Sequence, residues 1–198
     1  ENIFTKDFNS DGLISGGTYY QLSGDNGAVT LKRFSSSTGW NDDTSNQWNV
    51  TAAKNNSSNF QVLFEGSGSK NGQNIIWTTD VNGVHSSNTG WITDAQAVSD
   101  GYENIFTTDL NSDGLISGGT YYQLLGDNGA VTLKRYASSS GWNDDTSDLW
   151  NVTAAKNNSS NFQVLFEGTG SKNGQNVVWT ADTNGLHINN TGWITDAV

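Results

Sequence analysis

The sequence predicts an all-β protein of two tandem antiparallel modules, each a sandwich or small barrel, with a short helical turn at the junction. Three observations lead there. Glu1 recurs as Glu103, and this offset of 102 holds without a gap to the C-terminus. Apolar residues alternate in short runs. Asn, Gly and Ser clusters separate those runs at the spacing of hairpin turns.

The repeat pairs residues 1–96 with 103–198. Of these 96 positions 17 differ and 79 are identical. The differences are mostly mild: Phe34 becomes Tyr136, Ile75 and Ile76 become Val177 and Val178, and Val84 becomes Leu186. A unit near 100 residues is long for a solenoid repeat and typical of a bead-like domain. The division is therefore a first repeat at 1–96, a junction at 97–102 and a second repeat at 103–198. A shifted phase, about 16–116 and 117–198, is also expected. In it the first fifteen residues are the tail of an upstream unit.

Within a unit, Thr18 to Leu22 is a short β-prone run, and Gly24-Asp25-Asn26-Gly27 is a turn signal. Ala28 to Phe34 follows, with Val29 and Leu31 on one face and Thr30 and Lys32 on the other. Trp48 to Ala53 alternates less cleanly. Residues 54–59 form a polar loop. Phe60, Val62 and Phe64 share one side of the next strand. Residues 66–73 are a glycine-rich turn, followed by strands at 74–79 and 83–86 and a last piece at Trp91. Such alternation means half-solvated sheets rather than a buried parallel sheet. Residues 95–108 resist this pattern. Asp100 and Glu103 have capping-box spacing, so one or two helical turns are expected there, with Ile105 and Phe106 toward a core.

Composition narrows the function. Nine Lys and Arg against 20 Asp and Glu leave a net charge of -11, which disfavours nucleic acid and anionic membranes as partners. No apolar run approaches eighteen residues, so no membrane insertion is expected, and no signal-peptide pattern opens the chain. The start at Glu1 suits a mature product or an excised piece. With no Cys, disulfides and thiolate metal sites are excluded. Eight Trp in a chain only 33 % hydrophobic point to small cores built around large rings.

The sharpest local signal is Asp7-Phe8-Asn9-Ser10-Asp11-Gly12-Leu13-Ile14, repeated as Asp109 to Ile116. Oxygen side chains at positions 1, 3 and 5, Gly at 6 and an apolar residue at 8 open an EF-hand-type Ca2+ loop. The expected ligands are Asp7, Asn9, Asp11 and the Leu13 carbonyl, with Asp109, Asn111, Asp113 and Leu115 in the second copy. At position 12, where the pattern needs a bidentate Glu, stand Thr18 and Thr120. The missing carboxylate must come from elsewhere. Asp94 and Asp100 precede the second loop, and only Glu1 precedes the first; this asymmetry motivates the shifted phase. The alternative is an Asx-rich turn that binds nothing.

Trp40 with Asp42 and Asp43, and Trp142 with Asp144 and Asp145, suit carbohydrate: an indole face for the apolar face of a pyranose, beside hydrogen-bonding Asp. The same acidic pairs also read as a solvated turn or a second metal site. For most of the Trp, a core position is the plainer reading. Of the adjacent Tyr19 and Tyr20, one must face outward if they lie in a strand. Asp80-Val81-Asn82-Gly83 reads as a hairpin turn. His85 and His187 read as exposed strand residues and Glu65 and Glu167 as solvated. No G-x-S-x-G nucleophile turn occurs, so no enzyme is expected.

The runs Gly17 to Leu22, Leu31-Lys32, Trp48 to Ala53, Phe60 to Phe64 and Ile76 to Asp80 together resemble the tryptophan-rich C-terminal domain of cyanobacterial surface proteins. The resemblance covers most of both repeats. It implies a secreted, multi-domain, calcium-associated bacterial protein. Asp7 to Ile14 is also similar to a dockerin calcium loop, but Thr18 replaces the closing carboxylate and the flanking helices are missing, which argues against cohesin binding. The expected function is a calcium-stabilised extracellular repeat of a surface protein or adhesin, with neighbouring repeats or its own copies as partners. The alternative is a carbohydrate-binding module with polysaccharide as partner.

Overall fold

The computed structural model describes residues 1, 5–34, 38–41, 44–136, 140–143 and 146–195. Asp42, Asp43, Asp144 and Asp145 lie outside the described residues. The chain divides into two compact units, Glu1–Ala97 and Val98–Val198. They are similar antiparallel β modules, with short helices at the junction.

The first module opens with β1 (Leu13–Ile14), β2 (Gln21–Gly24) and β3 (Gly27–Thr30), which form a three-stranded sheet in that order. Gly24 pairs with Gly27, leaving the two-residue turn Asp25-Asn26, as the turn signal requires. A second sheet holds β4 (Trp48–Asn55), β5 (Phe60–Gly66), β6 (Gln73–Thr79) and β7 (His85–Asn88), with β8 (Ile92–Thr93) also paired to β6. The untidy alternation of β4 has a cause: the register slips between Val50 and Ala52, a β-bulge.

The two sheets bury one core between them. Leu13 and Leu22 from the first, with Leu31 just after β3, meet Val50, Ala53, Phe60, Val62 and Phe64 from the second, with Trp40 among them. Burying a ring such as Phe64 contributes roughly 1.5–3 kcal/mol. The second module repeats the plan as β9 (Leu115–Ile116), β10 (Gln123–Gly126), β11 (Gly129–Thr132), β12 (Trp150–Asn157), β13 (Phe162–Gly168), β14 (Gln175–Ala181), β15 (His187–Asn190) and β16 (Ile194–Thr195). Its core cluster is the counterpart of the first.

The expected helical turns are α1 (Asp94–Ser99) and α2 (Tyr102–Phe106), and Phe106 is buried as expected. The expected capping box is not how α2 begins. Its N-cap is Gly101 at φ 79, with no side-chain cap, because the Glu103 carboxylate is used elsewhere.

The acidic loops bind the two sheets of a module together. The Asp11 carbonyl accepts from Ala53 N–H of β4 at 2.7 Å, and the Gly12 carbonyl accepts from Ser23 N–H of β2 at 2.9 Å. Asp113 and Gly114 repeat both bonds, to Ala155 and Leu125, at 2.7 and 3.4 Å. The loop thus covers the free edge of β4, a position that otherwise invites strand addition. These bonds join the first loop to the strands that follow it.

Candidate functional site

Each acidic loop is wound around its own carboxylates. Asp109 Oδ2 accepts from Gly114 N–H at 2.8 Å, and Asp113 Oδ1 accepts from Leu115 N–H at 2.8 Å. Asn111 Nδ2 donates to Asp113 Oδ2 at 2.8 Å, so the side chains at positions 3 and 5 do meet. The first loop repeats these bonds through Asp7, Asn9 and Asp11.

The carboxylate that completes the loop is Glu103, not Asp94 or Asp100. Glu103 is fully buried; its Oε1 accepts from Leu110 N–H, and its Oε2 accepts from Ser117 N–H and from the Ser117 hydroxyl at 3.0 and 2.7 Å. Glu1 does the same for Phe8 and Ser15. The Ser15 hydroxyl and N–H, with Phe8 N–H, hold the Glu1 carboxyl down at about 2. Asp94 instead accepts from Asn74. Burial, ahead of the Leu13 N–H bond that opposes it, pushes Asp11 up.

As a calcium shell this fits in part. The Asp, Asn and Asp at positions 1, 3 and 5 are gathered, but Ca2+ takes six to eight oxygens, and both Glu103 oxygens are engaged with the protein. Among the described residues no group of three or more His, Cys, Asp or Glu is arranged to hold a metal.

The tryptophans separate into two kinds. Trp40 is only 5 % exposed and stands edge-on to Phe64 and Trp77, each at 5.1 Å between ring centroids, with the Arg33 guanidinium 5.0 Å from its ring. Trp142 is placed alike. Neither ring presents an exposed face, and Trp142 contributes instead to the lining of the cleft described below. Packing between two sheets, rather than the polar neighbours in sequence, sets their burial. Trp91 and Trp193 are the opposite case, 61 % and 65 % exposed.

In the second module Trp193 forms one wall of an open cleft of about 150 Å³. Trp150 and Trp193 face each other at 6.5 Å and 43°; Trp142, Phe166 and Trp179 make the aromatic lining below them, and Asn190 adds an amide. The Trp142 Nε1–H is buried with no hydrogen-bond partner. In the first module Trp48 and Trp91 stand at 6.1 Å and 44°. The two ring pairs are therefore closely alike, although each module folds its own.

Local sequence builds this geometry. Trp179 lies on the core side of β14, opposite Val164. The turn after β13 folds back so tightly that a Cβ on Gly168 would sit 2.0 Å from the Lys172 carbonyl. That fold-back sets Lys172 Nζ 3.1 Å from the centroid of Trp193; Lys70 takes the same position over Trp91 at 3.0 Å. A cation on an indole face is worth about 0.5–1 kcal/mol at an exposed site, so it orients the ring.

His85 and His187 are not exposed strand residues. They are half-buried and stack on Trp77 and Trp179 at 4.3 and 4.1 Å, and burial lowers the pKa of each. Glu65 is half-buried rather than solvated, and burial is the main cause that raises its pKa. Tyr19 is the outward member of its pair, and Tyr20 packs on the core. The sequence reading missed Trp48, Trp91, Lys70, Asn88 and their copies as one site. The clue was there: Trp91 lies in a polar Asn-Thr-Gly segment, where no core is at hand. No protein-family model matches this chain, and neither a curated protein nor a solved structure does.

Proposed function

We propose that each module binds carbohydrate in its aromatic cleft and that the tandem works by avidity. The observation that carries this reading is the exposed indole, Trp91 or Trp193, tilted over a second Trp in the same geometry in both modules. A pyranose offers one face of C–H groups to an indole and a rim of hydroxyls to polar neighbours. Lys172 and Asn190 suit that rim. A net charge of -11 favours neutral over acidic polysaccharide. Two linked sites raise avidity by about 10²–10⁴ where both can engage one ligand.

Affinity electrophoresis through gels containing neutral polysaccharides tests this. Retardation by at least one of them is expected. Uniform mobility in every gel, together with no signal on a glycan array, overturns the reading. The motif likeness to tryptophan-rich bacterial surface proteins supports a setting outside the cell, where such polymers occur. It also supports a non-catalytic role as a surface or adhesive repeat.

Calcium at the acidic loops is a second reading, supported by the contact of the Asn111 and Asp113 side chains at positions 3 and 5 of the loop. An ion there would neutralise carboxylates gathered in one turn. Thermal melts in calcium and in excess EDTA test it: a fall of several degrees in EDTA is expected. Superimposable melts, with no heat on calcium titration, would leave the loops as hydrogen-bonded braces alone.

A further inference from the structure

The outer face of the five-stranded sheet, opposite the aromatic cleft, differs between the modules. In the first module the register aligns Ala52, Leu63 and Ile76 across three strands, and they are 3 %, 0 % and 2 % exposed. The second module aligns Ala154, Leu165 and Val178 in the same way, yet all three are only half-buried. A cavity of about 240 Å³ lined by Leu165, Glu167, Asn176 and the Gly174 turn lies here. The row itself does not explain this: Ala and Leu are unchanged, and Ile to Val removes one methylene.

Among the described residues, an α-helix stands at the end of this row in the first module alone. In the first module α1 starts at the end of this row. Asn74 Nδ2 donates to Asp94 Oδ1 at 2.8 Å, Asp94 N–H donates to the Gly72 carbonyl at 3.3 Å, and Ala97, one turn on, is 0 % exposed. The Asp94 charge is also among the causes that raise the Glu65 pKa, so it lies near that side chain. A sheet face, unlike an edge, is covered by a helix or another layer, and alanine lets a short helix approach closely.

We infer that the outer sheet face of the second module, centred on Leu165 and Val178, is a docking surface for a helix of the α1 type, aspartate at its start and alanine one turn later, as the junction of a further copy of this repeat would present it. The surface would join repeat to repeat, independently of any ligand in the clefts.

Amide hydrogen exchange tests this on the 198-residue chain and on the same chain lengthened past Val198 by the residues copied from Ala97 to Tyr102. Exchange in β13 and β14 is expected to slow at least tenfold on lengthening and to approach that of β5 and β6. Unchanged rates overturn the proposal. Ala97→Asp in the unlengthened chain is expected to speed exchange in β5 and β6; if those strands stay slow, α1 is not the cover and the proposal falls. Slowing in the unlengthened chain that grows with protein concentration would assign the face to a second copy instead, and would also overturn it.

Discussion

Trp91→Ala combined with Trp193→Ala is expected to abolish retardation by polysaccharide while leaving the melting temperature nearly unchanged. Both rings are more than half exposed, so their removal leaves no cavity in either core. Exposed aromatic anchors carry about 2 kcal/mol or more of binding, roughly thirtyfold per site. Loss of both sites also removes the avidity between them. The single variants should each bind weakly and alike, because the two Trp pairs share their geometry. Trp142→Ala is the contrasting case. Its ring is packed edge-on between Phe166 and Trp179, so truncation should cost about 3–5 kcal/mol and unfold the second module. Undiminished retardation of a folded Trp91→Ala, Trp193→Ala double variant would remove the aromatic cleft as the binding site.

Gly114→Ala is expected to destabilise the second module by about 3 kcal/mol or more, measured by thermal or urea unfolding. Gly114 has φ +82, a region that costs an L-residue about 1 kcal/mol or more, and an added Cβ would lie 1.9 Å from the Ala155 carbonyl oxygen. That carbonyl belongs to β12, whose backbone the loop grips, so it cannot retreat without breaking the bond from Ala155 N–H to Asp113. Gly129→Ala is the control. Its φ is +106 but nothing lies within 4 Å of the new Cβ, so only the backbone cost of about 1 kcal/mol applies. Equal effects at the two positions would mean that the loop is not seated on β12.

Several features of this fold were determined by the sequence alone, because their causes are local. The alternation of Phe60, Val62 and Phe64 defines the inner face of β5 whatever surrounds it. Asp25-Asn26 between two glycines folds as a two-residue turn, and Asp80 caps its own turn by accepting from Asn82 and Val84 N–H. The Asp-x-Asn-x-Asp-Gly loop announces itself through side chains that bond backbone N–H groups two to five residues away.

The tertiary structure decided what depends on partners far along the chain. Trp40 and Trp91 both sit in polar stretches, yet one is core and the other is surface. Their difference lies in Phe64, Trp77 and Arg33 for one and the Lys70 ammonium for the other. Glu103 looked like a helix-capping residue by its spacing. The acidic loop offers its carboxylate three donors in a buried setting, and these outweigh one exposed cap. The cover of the outer sheet face is the clearest case. Near-identical strands carry near-identical side chains, yet Leu63 is buried and Leu165 half-buried, and α1 stands beside the first of these faces, where Asp94 accepts from Asn74. Periodicity records which face of a strand is apolar; burial depends on what the rest of the chain lays against it.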